Sequence, residues 1–344
     1  MNRAAAGRGC TAALLLALST AAGADAPADL AERTYLVLPF ENVVEDASLD
    51  WLSTGLAMAL GEYLQGFGAR VMDDEERAVL LEGNGIPAGA GLSLGTALDL
   101  GRRARERPGG TRPDRLVLGR YEVHEGALTL QARVVILPEG KARPWSSRAG
   151  RLKDLLDVQE ELAQVVLEDE GVRSPGRSGS IRKQRGGVPL LAFETYCRAM
   201  AETESKRRLQ MLRRAVQEFP GYPKAAFQAA ALLAKEERWT EAHTLLERAA
   251  FAPHPYEADF HLLSASVALG RGNAERAAEE ARRALTFAES ARGRILLGRA
   301  LLVLGERDEA RAQLEAARSA DPSDPDLEDL RKAIEGAPPA RRRP

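Results

Sequence analysis

The 344-residue chain has only two cysteines. Cys10 lies in an N-terminal segment that reads as removable, and Cys197 alone makes no intramolecular disulfide. The four histidines are scattered at His124, His243, His254 and His261. The closest pair, His254 and His261, spans a turn and a new helix, not a metal knuckle. No sign of charge dominates, with 48 Lys and Arg against 50 Asp and Glu, which excludes the basic excess of a nucleic-acid binder. Aromatics make up only 5% of the residues, and abundant Ala and Arg suit alanine-rich helices. Beyond the N-terminal segment no run of 18 apolar residues occurs, so the mature chain is expected to lack a membrane span.

Catalytic signals are equally sparse. Ser53 and Ser93 sit in no nucleophile elbow. The stretch from Gly83 to Gly91 invites a phosphate-loop reading, but Gly83-x-Gly85 lacks a third glycine and Gly89-x-Gly91 has Leu94 in its place. Paired acids at Glu45-Asp46 and Asp73-Asp74 are simplest as loop and helix-start charges, and Cys197 as a buried, inert thiol. No catalytic, cofactor-binding or metal-ligating residue is expected, and no cofactor.

The first residues read as an export signal. Arg3 and Arg8 form a positive region, Ala12 to Leu18 an apolar core, and Ala22-Gly23-Ala24 a cleavage site that leaves residues 1–24 as signal peptide. The charge-free window from Gly9 to Ala24 is sixteen residues, short for a span, and a retained anchor is the alternative. The mature chain is expected in the periplasm.

Residues 33–170 alternate between the two periodicities. Tyr35 to Phe40 reads as a strand, Leu49 to Leu64 as a helix, and Val71-Met72 as a brief strand. Asp73 to Glu76 place acids at a helix start, and Ser93 caps the following helix. Strands are expected over 115–123, 127–137 and 141–147, then a helix over 152–167. The order points to an α/β or α+β layer, helices on one sheet. Residues 171–188 carry five basic side chains and no acidic one, with little apolar content, and read as a flexible linker that transmits little coupling. Residues 336–344 read as a disordered basic tail.

The helical part, 189–335, has a beat. Arg208, Ala242, Ala277 and Ala310 recur at spacings of 34, 35 and 33, and another alanine follows each by seven: Ala215, Ala249, Ala284 and Ala317. Pro220 and Pro322 end the first and last units, Gly272 and Gly305 mark turns, and 324–334 reads as a capping helix. A period near 34 with small residues at fixed offsets resembles the tetratricopeptide repeat (TPR), about four units of paired helices stacked into an all-α solenoid.

Residues 33–170 in turn resemble the TolB amino-terminal-like domain of exported bacterial proteins. The carrying blocks are Val37-Leu38-Pro39-Phe40-Glu41-Asn42, 49–56 (Leu-Asp-Trp-Leu-Ser-Thr-Gly-Leu), 114–121 with 128–134, and 154–163. With Ala192 to Arg198 opening the helical part, the whole is similar to exported bacterial TPR proteins. The resemblance implies a docking module without catalysis.

Aligning the repeats places Lys224, Phe227, Ala231 and Lys235 on one inner face, then Asp259, Leu262 and Ser266, then Arg292, Ile295 and Arg299. An apolar centre flanked by Lys224, Lys235, Arg292 and Arg299 suits an extended peptide with acidic groups; a solvated concave face is the alternative. The expected function is a non-catalytic periplasmic scaffold that binds a protein or peptide of the cell envelope. The rival is a regulatory subunit that activates an envelope enzyme or a secretion or assembly machine through its N-terminal domain.

Overall fold

The computed structural model describes residues 28–87, 90–108, 110–137, 139–172, 188–249 and 257–336. The expected signal peptide, nearly all of the linker, His254 and the tail beyond Gly336 lie outside the described residues.

A seven-stranded mixed sheet organises the first half. β1 (Thr34–Val37) pairs in parallel with β3 (Arg70–Val71) and with β4 (Arg115–His124), and β2 (Glu41–Asn42) also runs parallel to β4. β5 (Ala127–Ile136) is antiparallel to β4 through the Glu125-Gly126 turn, where both residues adopt positive φ. β6 (Lys141–Ala142) and β7 (Ser146–Arg151) both pair with β5 on the far side. The strand expected over 141–147 is therefore split. Pro144 has no N–H to offer the ladder, and pairing resumes only at Ser146.

Helices cover the sheet on two sides. After a short α1 (Ala28–Glu32), α2 (Trp51–Gly66) and α5 (Leu155–Asp169) pack on Tyr35, Val37, Val117, Tyr121, Leu130 and Val134. α3 (Asp74–Gly83) and α4 (Leu94–Glu106) pack on the opposite face, over Leu36, Leu38, Leu116, Leu118 and Val135. Alternation along β1 and β4 produces the two faces. Ser93 caps α4 as expected, accepting from Thr96 N at 3.1 Å, whereas Asp73, expected as a first-turn acid, is the N-cap of α3 and accepts from Glu76 N at 2.7 Å.

The second half is a run of antiparallel helix pairs. They are α6 (Leu190–Ala201) with α7 (Ser205–Glu218), α8 (Pro223–Lys235) with α9 (Trp239–Ala249), α10 (Glu257–Gly270) with α11 (Ala274–Phe287), and α12 (Ala291–Val303) with α13 (Arg307–Ala320). A terminal helix, α14 (Asp326–Gly336), packs on α12 and α13. Ala242, Ala277 and Ala310 are all fully buried, as are Ala215, Ala284 and Ala317. Each lets two helices approach to a distance that a larger side chain would block. The chain is thus an α/β layer followed by a helical run consistent with a TPR solenoid.

The two halves share apolar packing. One apolar cluster runs without interruption from the sheet and α2 through α6 to α10, where it takes in Leu263 and Val267. A composition reading of 171–188 treats the halves as joined by that segment alone; side-chain packing joins them as well.

Candidate functional site

The repeat offset extends backwards by one unit beyond the inner positions read from sequence. Subtracting 34 from Lys224, Phe227 and Ala231 gives Leu190, Phe193 and Cys197 on α6. The inner face of the first repeat is therefore an aromatic ring and a thiol, and both are buried. What buries them is α2. Trp51 meets Phe193 edge to face, with ring centroids 6.1 Å apart and planes at 75°. A methyl group placed on Gly55 would lie 2.7 Å from Cys197 Sγ and 3.6 Å from the Phe193 ring, so the helices touch backbone to side chain. Beside them Arg198 Nη2 donates to Ser48 O at 2.8 Å. Burial pushes the Cys197 thiol well above its ordinary value, as expected of an inert thiol.

Two turns beyond Gly55 along α2, Glu62 pairs with Lys224 on α8. Both side chains are largely buried, at 15% and 12% exposed, and burial pulls the Lys224 ammonium down to about 7. Phe227 is half-buried against the same cluster. Partial desolvation raises the Asp259 carboxyl, Arg292 opposes that rise, and the Asp73 carboxylate at the start of α3 adds to it. α2 therefore packs on Phe193, Cys197 and Lys224, the positions that the repeat offset assigns to the inner face of the first two repeats.

The remaining predicted residues are distributed unevenly. Lys235 is exposed at the end of α8. Leu262 is buried at 8% and belongs to a second cluster formed by α10 to α14. Arg292 is exposed and stands in the field of Asp259. Arg299 bonds Asp326 of α14 at 3.1 Å, so its guanidinium clasps the terminal helix. Lys224 is thus joined to α2 and Phe227 packs on the shared cluster, while Ile295, expected on the inner face, is buried at 1% in the second cluster and only Arg292 and Arg299 beside it keep their side chains in solvent.

Sequence reasoning missed Trp51, Gly55 and Glu62 as groove occupants. A signal was present. α2 reads WLSTGLAMALGEYLQG with one charged residue, and its buried residues lie all round the helix. A helix apolar on every side is packed on every side, here between sheet and solenoid.

Elsewhere, His261 Nδ1 lies 2.6 Å from Glu280 Oε2 across the third repeat, with Phe287 stacked on the imidazole. Among the described residues no group of three or more His, Cys, Asp or Glu side chains could hold a metal ion. No helix of the described residues is long and apolar enough to cross a membrane.

Residues 268–334, from the end of α10 to α14, match the family model described as tetratricopeptide repeat. That match supports a TPR protein, and TPR units suggest a scaffold for protein–protein interaction. No curated protein matches the chain.

Proposed function

We propose that the chain is an exported, non-catalytic scaffold of the bacterial cell envelope that holds a protein partner in the distal half of its TPR groove. The observation that carries this reading is the division of the inner face. Its first half is filled by α2 through Trp51, Gly55 and Glu62. Its second half leaves Asp259 and Arg292 exposed and Ser266 half-buried. Export rests on the Arg3/Arg8 region and Ala22-Gly23-Ala24, and predicts a mature chain beginning near Asp25, read by mass spectrometry.

A photo-crosslinker in place of Ser266 should capture a partner in cells, and one in place of Arg248 on the outer helix α9 should not. Equal capture from both positions, or none from Ser266, would remove the groove as the working surface.

A second reading, a regulator acting through the sheet layer, is favoured by the exposed sheet face on the side of α3 and α4, where Ala127, Ser147 and Ala149 are open to solvent.

A further inference from the structure

The two faces of the sheet are covered unequally. On the α5 side, Gly150 approaches Val158 so closely that an added methyl would lie 2.4 Å from its side chain. By alternation Ser147 and Ala149 point the other way, and both are exposed. They pair with Gln131 and Thr129 of β5, and Ala127, the next but one, is exposed as well. α3 and α4 cover this side only over the opposite ends of the strands.

Trp145 sits on the border, packed against the cluster under α3 and α4. Two guanidinium groups lie over its indole, Arg120 of β4 at 4.6 Å from the ring centroid and Arg133 of β5 at 4.5 Å. Arg120 Nε donates to Gln131 Oε1, its register partner on β5. Arg133 Nε is buried with no acceptor. Among the described residues neither arginine makes an ion pair. Glu41, opposite Arg120 in register, and Glu122, two residues along β4, are the acids beside them, and neither comes within ion-pair distance.

Two cations drawn to one indole repel each other, and a buried N–H without an acceptor carries a desolvation cost. A planar oxyanion beside both relieves both, and the guanidinium fork matches a carboxylate in two hydrogen bonds. The small side chains of Ala127, Ser147 and Ala149 leave a flat floor next to that point, suited to an extended chain.

We propose that Arg120, Trp145 and Arg133 form a binding site for a carboxylate of an acidic peptide segment of a partner protein, which lies extended across the open sheet face. The proposal rests on the reading of the sheet layer as a docking surface.

The test uses the full mature chain and a fluorescently labelled oligo-glutamate peptide, with oligo-glutamine as control, read by polarisation. Saturable binding of the acidic peptide alone is expected. Arg120→Gln and Arg133→Gln should each weaken it about tenfold, the loss of one charged hydrogen-bonding group. Arg133→Lys, which keeps the charge and removes the fork, should weaken it less, and serves if the glutamine variants melt early. Equal binding of oligo-glutamine, no saturable binding, or affinity unchanged in all three variants would overturn the proposal. So would displacement of the peptide by inorganic phosphate as effective as displacement by free glutamate at matched ionic strength. Crosslinking from Ser266 does not depend on this site, so loss of peptide binding with capture intact removes the sheet site alone.

Discussion

Gly55 of α2 and Cys197 of α6 meet so closely that a methyl group on Gly55 would fall 2.7 Å from the Cys197 sulfur. No side chain fits there without movement of a buried thiol. Gly55→Val should destabilise the protein by about 1–3 kcal/mol through overpacking, although valine is the better helix former. Gly55→Ala combined with Cys197→Ala should recover stability relative to Gly55→Ala alone. A denaturant cycle measures the coupling, and strict additivity would show that the two residues do not touch.

The Lys224–Glu62 pair makes a related prediction about cooperativity. Lys224→Ala leaves a largely buried carboxylate without its cation and should cost roughly 3 kcal/mol. Replacing both partners by methionine should cost much less. Because one cluster spans sheet and solenoid, thermal unfolding should show one transition. Protease cleavage within 173–187 should leave two fragments that co-elute; separate elution would mean that the shared core is too weak to hold them.

Turn chemistry offers a stabilising substitution. The turns inside the third and fourth repeats place Gly272 at φ 77° and Gly305 at φ 83°. Glu237 occupies the corresponding position of the second repeat at φ 58°. An L-residue pays for that conformation, so Glu237→Gly should raise stability by about 0.5–1 kcal/mol, less whatever entropy glycine adds to the unfolded chain. A drop in melting temperature would mean that the Glu237 side chain makes up for its backbone.

Acidification should loosen the third repeat. Burial raises the Glu280 carboxyl, but the His261 hydrogen bond together with Arg276 and Arg283 outweighs it, and the net position is below the ordinary 4.5. A depressed carboxyl contributes stability that is present above its unfolded value and lost as pH falls through the folded one. Glu280→Gln should therefore lower the melting temperature near neutral pH and flatten its decline below about pH 4.5. An acid limb of unchanged slope would refute the assignment.

Arg292 and Arg299 should behave differently although both lie on α12, two turns apart. Arg292→Glu should weaken partner binding about tenfold and lower the melting temperature slightly, because it breaks no close ion pair but sets a second carboxylate beside Asp259. Arg299→Glu should also lower stability, by up to about 1 kcal/mol, because it faces Asp326. Binding by Arg292→Glu that matches the wild type would mean that the concave face is merely solvated.

Much of this arrangement was readable in advance where its cause is local. The spacing of Ala242, Ala277 and Ala310 follows from helix pairs meeting at the same point in each unit, and that demand repeats along the chain. Asp73 and Ser93 announce helix starts because a cap bonds within three residues of itself. The split strand was less readable, since Pro144 weakens a ladder whose partner lies in β5. The burial of Leu262 and Ile295 was not readable from the offset, because it depends on neighbouring helices.

The sequence by itself determined an α/β layer and a helical run of about four units, because periodicity and caps act over a few residues. Only the tertiary structure decided that α2 fills half of the groove, that Lys224 is enclosed with Glu62, and that Arg299 holds the terminal helix. Those outcomes depend on contacts between residues separated by more than a hundred positions in the first case and across repeats in the last. Apolar burial has no direction of its own, so an all-round apolar helix such as α2 announces that it will be covered, and the shape of the groove beside Phe193 and Cys197 selects what covers it.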